Sequence, residues 1–162
     1  LTYSYNNTQP KSFRKELERT NIIPSAQIID LKINDATEEF NKMLNINLND
    51  KLIYMKRLRL ANNIPTAIEI NYFSYTYFEE LLNKNLTGSL YKILEEDFKV
   101  FPNKNLKLEL EVVKANDEQS KLLNIPISEP LFLFFGITAD NNNNPIHIAK
   151  RYLIASKYKF SL

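Results

Sequence analysis

The stretch KRLRLANNIPTAIEI, Lys56–Ile70, decides the fold because it reads as strand, turn, strand. Apolar residues alternate on both sides of Asn62-Asn63, and asparagine tolerates the positive φ that a tight hairpin turn demands. Strands are expected over 51–60 and 66–75, joined by residues 61–65. Residues two apart on a strand point the same way, so Arg57 and Arg59 form a doubly positive platform on one face. Ile53 and Met55 share that face, which implies that it is at least partly buried.

Further along, GSLYKILEEDF, Gly88–Phe98, reads as a helix capped by Ser89. Its first turn offers unpaired N–H groups and the positive end of the helix dipole, which together with paired arginines is chemistry for holding an anion. The remaining segments follow the same logic. Residues 1–11 are polar and read as an arm or linker; SFRKELERT is a short helix opened by Ser12; SAQIIDLKI is a strand by its alternation. DATEEFNKMLNI is a helix with Asp35 as N-cap, and a helical insert occupies roughly 76–98.

Composition narrows the function classes. The chain has 162 residues, 44% of them hydrophobic and 25% charged, which suits one globular domain with its own core. Net charge is only +2 and the cations are dispersed, so no nucleic-acid surface is advertised. There is no cysteine, which excludes disulfides, thiolate metal sites and a cysteine nucleophile. No apolar run approaches the roughly 20 residues of a membrane span, and the first residues are polar, so a cytoplasmic protein without membrane contact is expected. No cofactor, metal site or catalytic residue is indicated.

The layout is used twice. Sliding the chain by 79 residues aligns LKINDATEEFNKMLNINLNDKL with LEVVKANDEQSKLLNIPISEPL, and Leu44-Asn45-Ile46 recurs as Leu123-Asn124-Ile125. Each copy is strand, helix and hairpin, the second hairpin spanning 130–154 and turning through DNNNNP. Two such halves sharing one mostly antiparallel sheet, with helices on one face, make an α+β architecture. At the same offset Arg57 and Arg59 become Gly136 and Thr138, so one anion site per chain is expected.

The succession of Ser12-Phe13, the Arg-x-Arg strand, a turn ending in Pro65, Glu69 on the returning strand, Gly-Ser-Leu-Tyr at 88–91 and LLNIPISEPLFLF at 122–134 resembles the UTRA ligand-binding domain of HutC-subfamily regulators in the GntR superfamily. The resemblance covers 12–160. It implies a chorismate lyase-like fold, a six-stranded antiparallel sheet with flanking helices and an internal repeat. It also implies that 12–162 is an effector-binding domain, that 1–11 is the end of an interdomain linker, and that a winged helix-turn-helix domain, absent from this chain, precedes it. Partners implied are a small anionic metabolite, a sugar phosphate first, a second copy in a homodimer, and DNA only through the missing domain.

The resemblance assigns phosphate contacts to Ser12, Phe13, Arg57, Arg59, Ser89 and Tyr91, and sugar hydroxyls to Glu69. Each residue also has an ordinary reading: the arginines as ion-paired strand residues, Ser12 and Ser89 as helix caps, Tyr91 as packing under its helix, Glu69 as an arginine partner. His147 departs from the family, which commonly has an acidic residue there; with Arg151 it implies a pocket end that meets a neutral hydroxyl, a second anionic group or an amide. The segment YLIASKYKF departs too, since Leu153, Ile154 and Ser156 replace a Tyr-Arg-x-Asp pattern. Two other functions share these features: a chorismate lyase-like enzyme acting on a carboxylate, and an interaction domain without a small ligand.

Overall fold

The computed structural model of the chain describes residues 3–6 and 22–161. Ser12, Phe13 and the helix expected over 12–20 lie outside the described residues. Six strands form the main sheet: β2 (Pro24–Asn34), β3 (Leu52–Ala61), β4 (Ile64–Ser74), β5 (Lys104–Lys114), β6 (Pro130–Ala139) and β7 (Pro145–Ile154), in the order β2-β3-β4-β7-β6-β5. All five pairings are antiparallel. The order places the two strand-helix-hairpin halves back to back, with the second strand of each hairpin, β4 and β7, at the centre. That is the duplication expected from the repeat.

Local chemistry explains the turns. The β3–β4 hairpin turns at Asn62 and Asn63, whose φ values of 50° and 63° are the left-handed pair that a two-residue turn needs. Asn45 and Asn124, equivalent in the two halves, both sit at φ 54° behind the repeated helices α1 (Glu38–Met43) and α4 (Asp117–Leu123). Glycine adopts such angles without a Cβ clash, so Asn63→Gly is expected to raise stability by about 0.5 kcal/mol, read from urea denaturation. The N-cap of α1 is Thr37, not Asp35: the Thr37 hydroxyl accepts from the Phe40 N–H at 3.2 Å, which starts the helix later than the sequence suggests.

The expectation of helices on one face holds only for the repeated pair. Leu58, Ile68, Leu131 and Ile154 face Ala115 and Leu123 at α4, while Leu52, Ile137 and Ile148 pack with Leu44 behind α1. The opposite face is covered by the insert, which comprises the short helix α2 (Tyr75–Phe78), a 3-10 turn (Glu79–Asn83) and α3 (Leu90–Asp97). Phe78, Leu81, Leu86, Leu90 and Leu94 bury Ile53, Met55 and Phe73 there. The insert carries its own apolar stripe, which needs a second sheet face to bury it.

One pairing has no precedent in the sequence pattern. Tyr3–Asn6, within the polar arm, forms β1 and runs parallel to the C-terminal strand β8 (Tyr158–Ser161). Tyr158 and Phe160 of β8 pack with Ala67, Leu153, Phe134 and Phe132 on the insert's side of the sheet. That face is therefore covered at one end by the insert and at the other by β8.

Candidate functional site

Strand register assembles the site between these two covers. Arg57 of β3 pairs with Glu69 of β4, Glu69 with Arg151 of β7, and Arg151 with Phe134 of β6, so one row across four strands carries two arginines and a carboxylate. The next row toward β8 holds Arg59, Ala67 and Leu153. Arg57 is 2% and Arg59 3% exposed, so the doubly positive platform is inside the protein.

Arg57 is held on three sides. One terminal nitrogen donates to the carbonyls of Leu86 and Gly88, each at 3.1 Å, and the other meets Glu69 Oε1 at 2.6 Å. Asn71 Nδ2 donates to the same oxygen at 2.8 Å. Arg57 thus ties the loop before α3 to the sheet. Its Nε is buried without a hydrogen-bond partner. Burial alone would push the Glu69 carboxyl up, but Arg57 and Arg59, with hydrogen bonds from Arg57 and Asn71, outweigh it and hold the group well below the usual carboxylate range. Glu69 is therefore a fixed anion at any physiological pH, and its pairing with an arginine is the ordinary reading that sequence allowed.

Ser89 caps α3, its hydroxyl accepting from the Lys92 N–H at 3.3 Å. Tyr91, in the first turn, makes a T-shaped contact with His147, 6.1 Å between centroids. His147 stacks on Phe73 at 5.0 Å and 17° and is only 3% exposed. Neither imidazole nitrogen has a hydrogen-bond partner. Burial lowers its pKa to about 4; Arg151 and Arg57 add to the effect, and Glu69 and the nearby Ile148 backbone offset part of it. The ring is neutral, with one N–H and one lone pair unused. Arg151 lies over the Phe134 ring at 5.3 Å.

Seven of the nine residues singled out from sequence thus fall on one sheet face or on the helix above it: Arg57, Arg59, Glu69, Arg151 and His147 on strands, Ser89 and Tyr91 on α3. Ser12 and Phe13 lie outside the described residues. Four contributors were not assigned to the site from the sequence. Asn71 and Phe73 follow Glu69 at the spacing of one strand face, which was a usable signal; the carbonyls of Leu86 and Gly88 carry none, since any residue supplies a carbonyl. Among the described residues no cluster of three or more metal-ligating side chains occurs.

Known proteins resemble the chain in sequence and in fold. The transcriptional repressor NagR of Bacillus subtilis is 28% identical over 92% of this chain and 61% of its own length. The mannosyl-D-glycerate transport/metabolism system repressor MngR of Escherichia coli is 23% identical over 79% of this chain and 53% of its own. The chain therefore spans little more than half to three-fifths of these relatives. The crystal structure of PhnF from Mycobacterium smegmatis superposes with a TM-score of 0.90 over 99% of this chain and 70% of that one, at 11% identity, which establishes a shared fold. The UTRA domain model matches residues 20–159. With that match spanning both halves of the repeat, the insert and every described residue of the site, the chain belongs to the UTRA domain family, found in GntR-type transcriptional regulators.

Proposed function

We propose that the chain is the effector-sensing domain of a GntR-type, HutC-subfamily transcriptional repressor and binds a small anionic metabolite, a sugar phosphate, on the sheet face beneath α3. The observation that carries this reading is the burial of Arg57 and Arg59 on one strand face, with Arg57 at the loop that opens that helix and its Nε unpartnered. A guanidinium offers charge-assisted, forked hydrogen bonds suited to phosphate oxygens. Ser89, Tyr91 and, from outside the described residues, Ser12 and Phe13 complete the anion end; Glu69, His147 and Arg151 face the rest of the ligand. NagR and MngR are named repressors, the second of a mannosyl-D-glycerate system, which supports a carbohydrate-derived effector. The clamped Glu69 carboxylate is no proton donor, which favours a sensor over a catalyst.

In the whole protein a winged helix-turn-helix domain precedes residue 1, residues 1–11 link it to the sensor, and a homodimer in the cytoplasm presents two such domains to DNA. The coupling route is physical. An anion at Arg57 competes for the guanidinium that holds the Leu86–Gly88 loop, and β7, which carries His147 and Arg151, runs into β8, the strand paired with β1. The shift is bounded by the effector's difference in affinity for the two states.

A thermal-shift screen against sugar phosphates, the parent sugars and inorganic phosphate tests the reading. A ligand at 100 times its Kd adds about 2.7 kcal/mol, a rise of roughly 5–10 °C for a domain of this size. The expected result is a rise with a phosphorylated sugar that Arg59→Ala abolishes. Absence of any rise with phosphorylated compounds would overturn the phosphate site.

A further inference from the structure

Among the described site residues, His147 is the side chain whose two ring nitrogens are both buried without a hydrogen-bond partner. Its ring stacks on Phe73 and makes a T-shaped contact with Tyr91, it is almost completely buried, and both nitrogens lack partners. The described polar groups of the site have other engagements: Glu69 is met by Arg57 and Asn71, Ser89 by the Lys92 N–H. Buried polar atoms in folded proteins are almost always satisfied, and an exception calls for a functional explanation. Contacts with two aromatics restrict the ring, which narrows the directions in which its donor and acceptor are presented.

We infer that His147 is a specificity-determining residue that reads an uncharged donor-acceptor group of the effector, a hydroxyl or an amide, at the end away from the anion. The inference rests on the proposed effector site. An ammonium is disfavoured because an imidazole offers it only one acceptor, and the attraction of Glu69, already paired with Arg57, is opposed by Arg57 and Arg151 as like charges on the same face. A second anionic group is disfavoured because the neutral ring has a single N–H to give it. A hydroxyl or an amide uses both nitrogens' capacities at once: the imidazole N–H donates to its oxygen, and the imidazole lone pair accepts from its O–H or N–H.

Two buried, unpartnered ring nitrogens make His147 a cost to the ligand-free domain. Phenylalanine in its place extends the Phe73 and Tyr91 packing and removes two unsatisfied polar atoms, a trade of stability for binding seen where a site is built for a ligand. His147→Phe is therefore expected to raise the melting temperature of the free domain by about 2 °C or more.

The probes are hexose 6-phosphates in which each hydroxyl in turn is replaced by hydrogen, by acetamido or by ammonium, titrated calorimetrically against the wild type, His147→Phe and His147→Gln. In the wild type, one ring position is expected to lose about tenfold or more on replacement by hydrogen and at least as much on replacement by ammonium. His147→Phe erases that discrimination while discrimination between phosphorylated and parent sugar persists, and His147→Gln, which keeps a donor and an acceptor, retains part of it. Equal discrimination in wild type and His147→Phe, or a lower melting temperature in the free variant, overturns the inference with the effector site intact. No binding of any hexose 6-phosphate by the wild type, with melting raised in His147→Phe, overturns the sugar-phosphate reading instead.

Discussion

Arg57→Ala is expected to destabilise the domain by about 3–5 kcal/mol, the largest effect of any single substitution in the site, because it leaves one member of a buried ion pair without its partner. Three groups lose their donor together: the Glu69 carboxylate and the carbonyls of Leu86 and Gly88. Asn71 still donates to Glu69, and Arg59 still acts on its charge, so the carboxylate is weakened and not abandoned. Urea denaturation followed by circular dichroism reads the loss, and the matching fall in melting temperature is about 10 °C. A loss under about 1 kcal/mol would mean that the pair is not the strut between insert and sheet described above.

The double variant Arg57→Met with Glu69→Leu separates structure from binding. Replacing both members of a buried pair with apolar groups of similar size is often close to neutral. Stability is therefore expected to return most of the way while binding of anions does not. The pair also sets an acid limit. Glu69 is held below its ordinary value of 4.5, so its stabilisation is fully present above that pH and is lost as pH falls below it.

The second large effect belongs to His147. Its pKa is lowered from 6.5 to about 4 in the fold, so between those values the unfolded chain binds a proton that the folded chain does not. Stability then rises with pH across this window, and a fall from pH 7 to pH 4 costs about 3 kcal/mol through this one ring. His147 is the only histidine in the chain, so the upper part of the window, from about pH 6.5 to 5, isolates it from the carboxylates that titrate lower. Denaturation curves across this range are expected to slope in the wild type and to lie nearly flat in His147→Phe. A flat wild-type profile would place the ring in contact with solvent or with a partner for its charged form, contrary to its burial against Phe73 and Tyr91.

Much of this architecture is carried by neighbours in the chain. The alternation of 52–61 and 64–74, the paired asparagines at 62 and 63, the Ser89 cap and the repeated Leu-Asn-Ile behind α1 and α4 all act over a few residues, so their outcome is legible from sequence. The strand period likewise put Arg57 and Arg59 on one face. It could not say who would stand opposite. That Arg57 meets Glu69 and the Leu86 and Gly88 carbonyls, and that His147 packs against Phe73 and Tyr91, follow from the β3–β4–β7 register and the seat of the insert on the second face. The start of α1 at Thr37 and the parallel pairing of β1 with β8 belong to the same class. Periodicity and turn preference are properties of adjacent residues, whereas a cross-strand partner, a buried charge and an unsatisfied ring exist only once distant segments share one core.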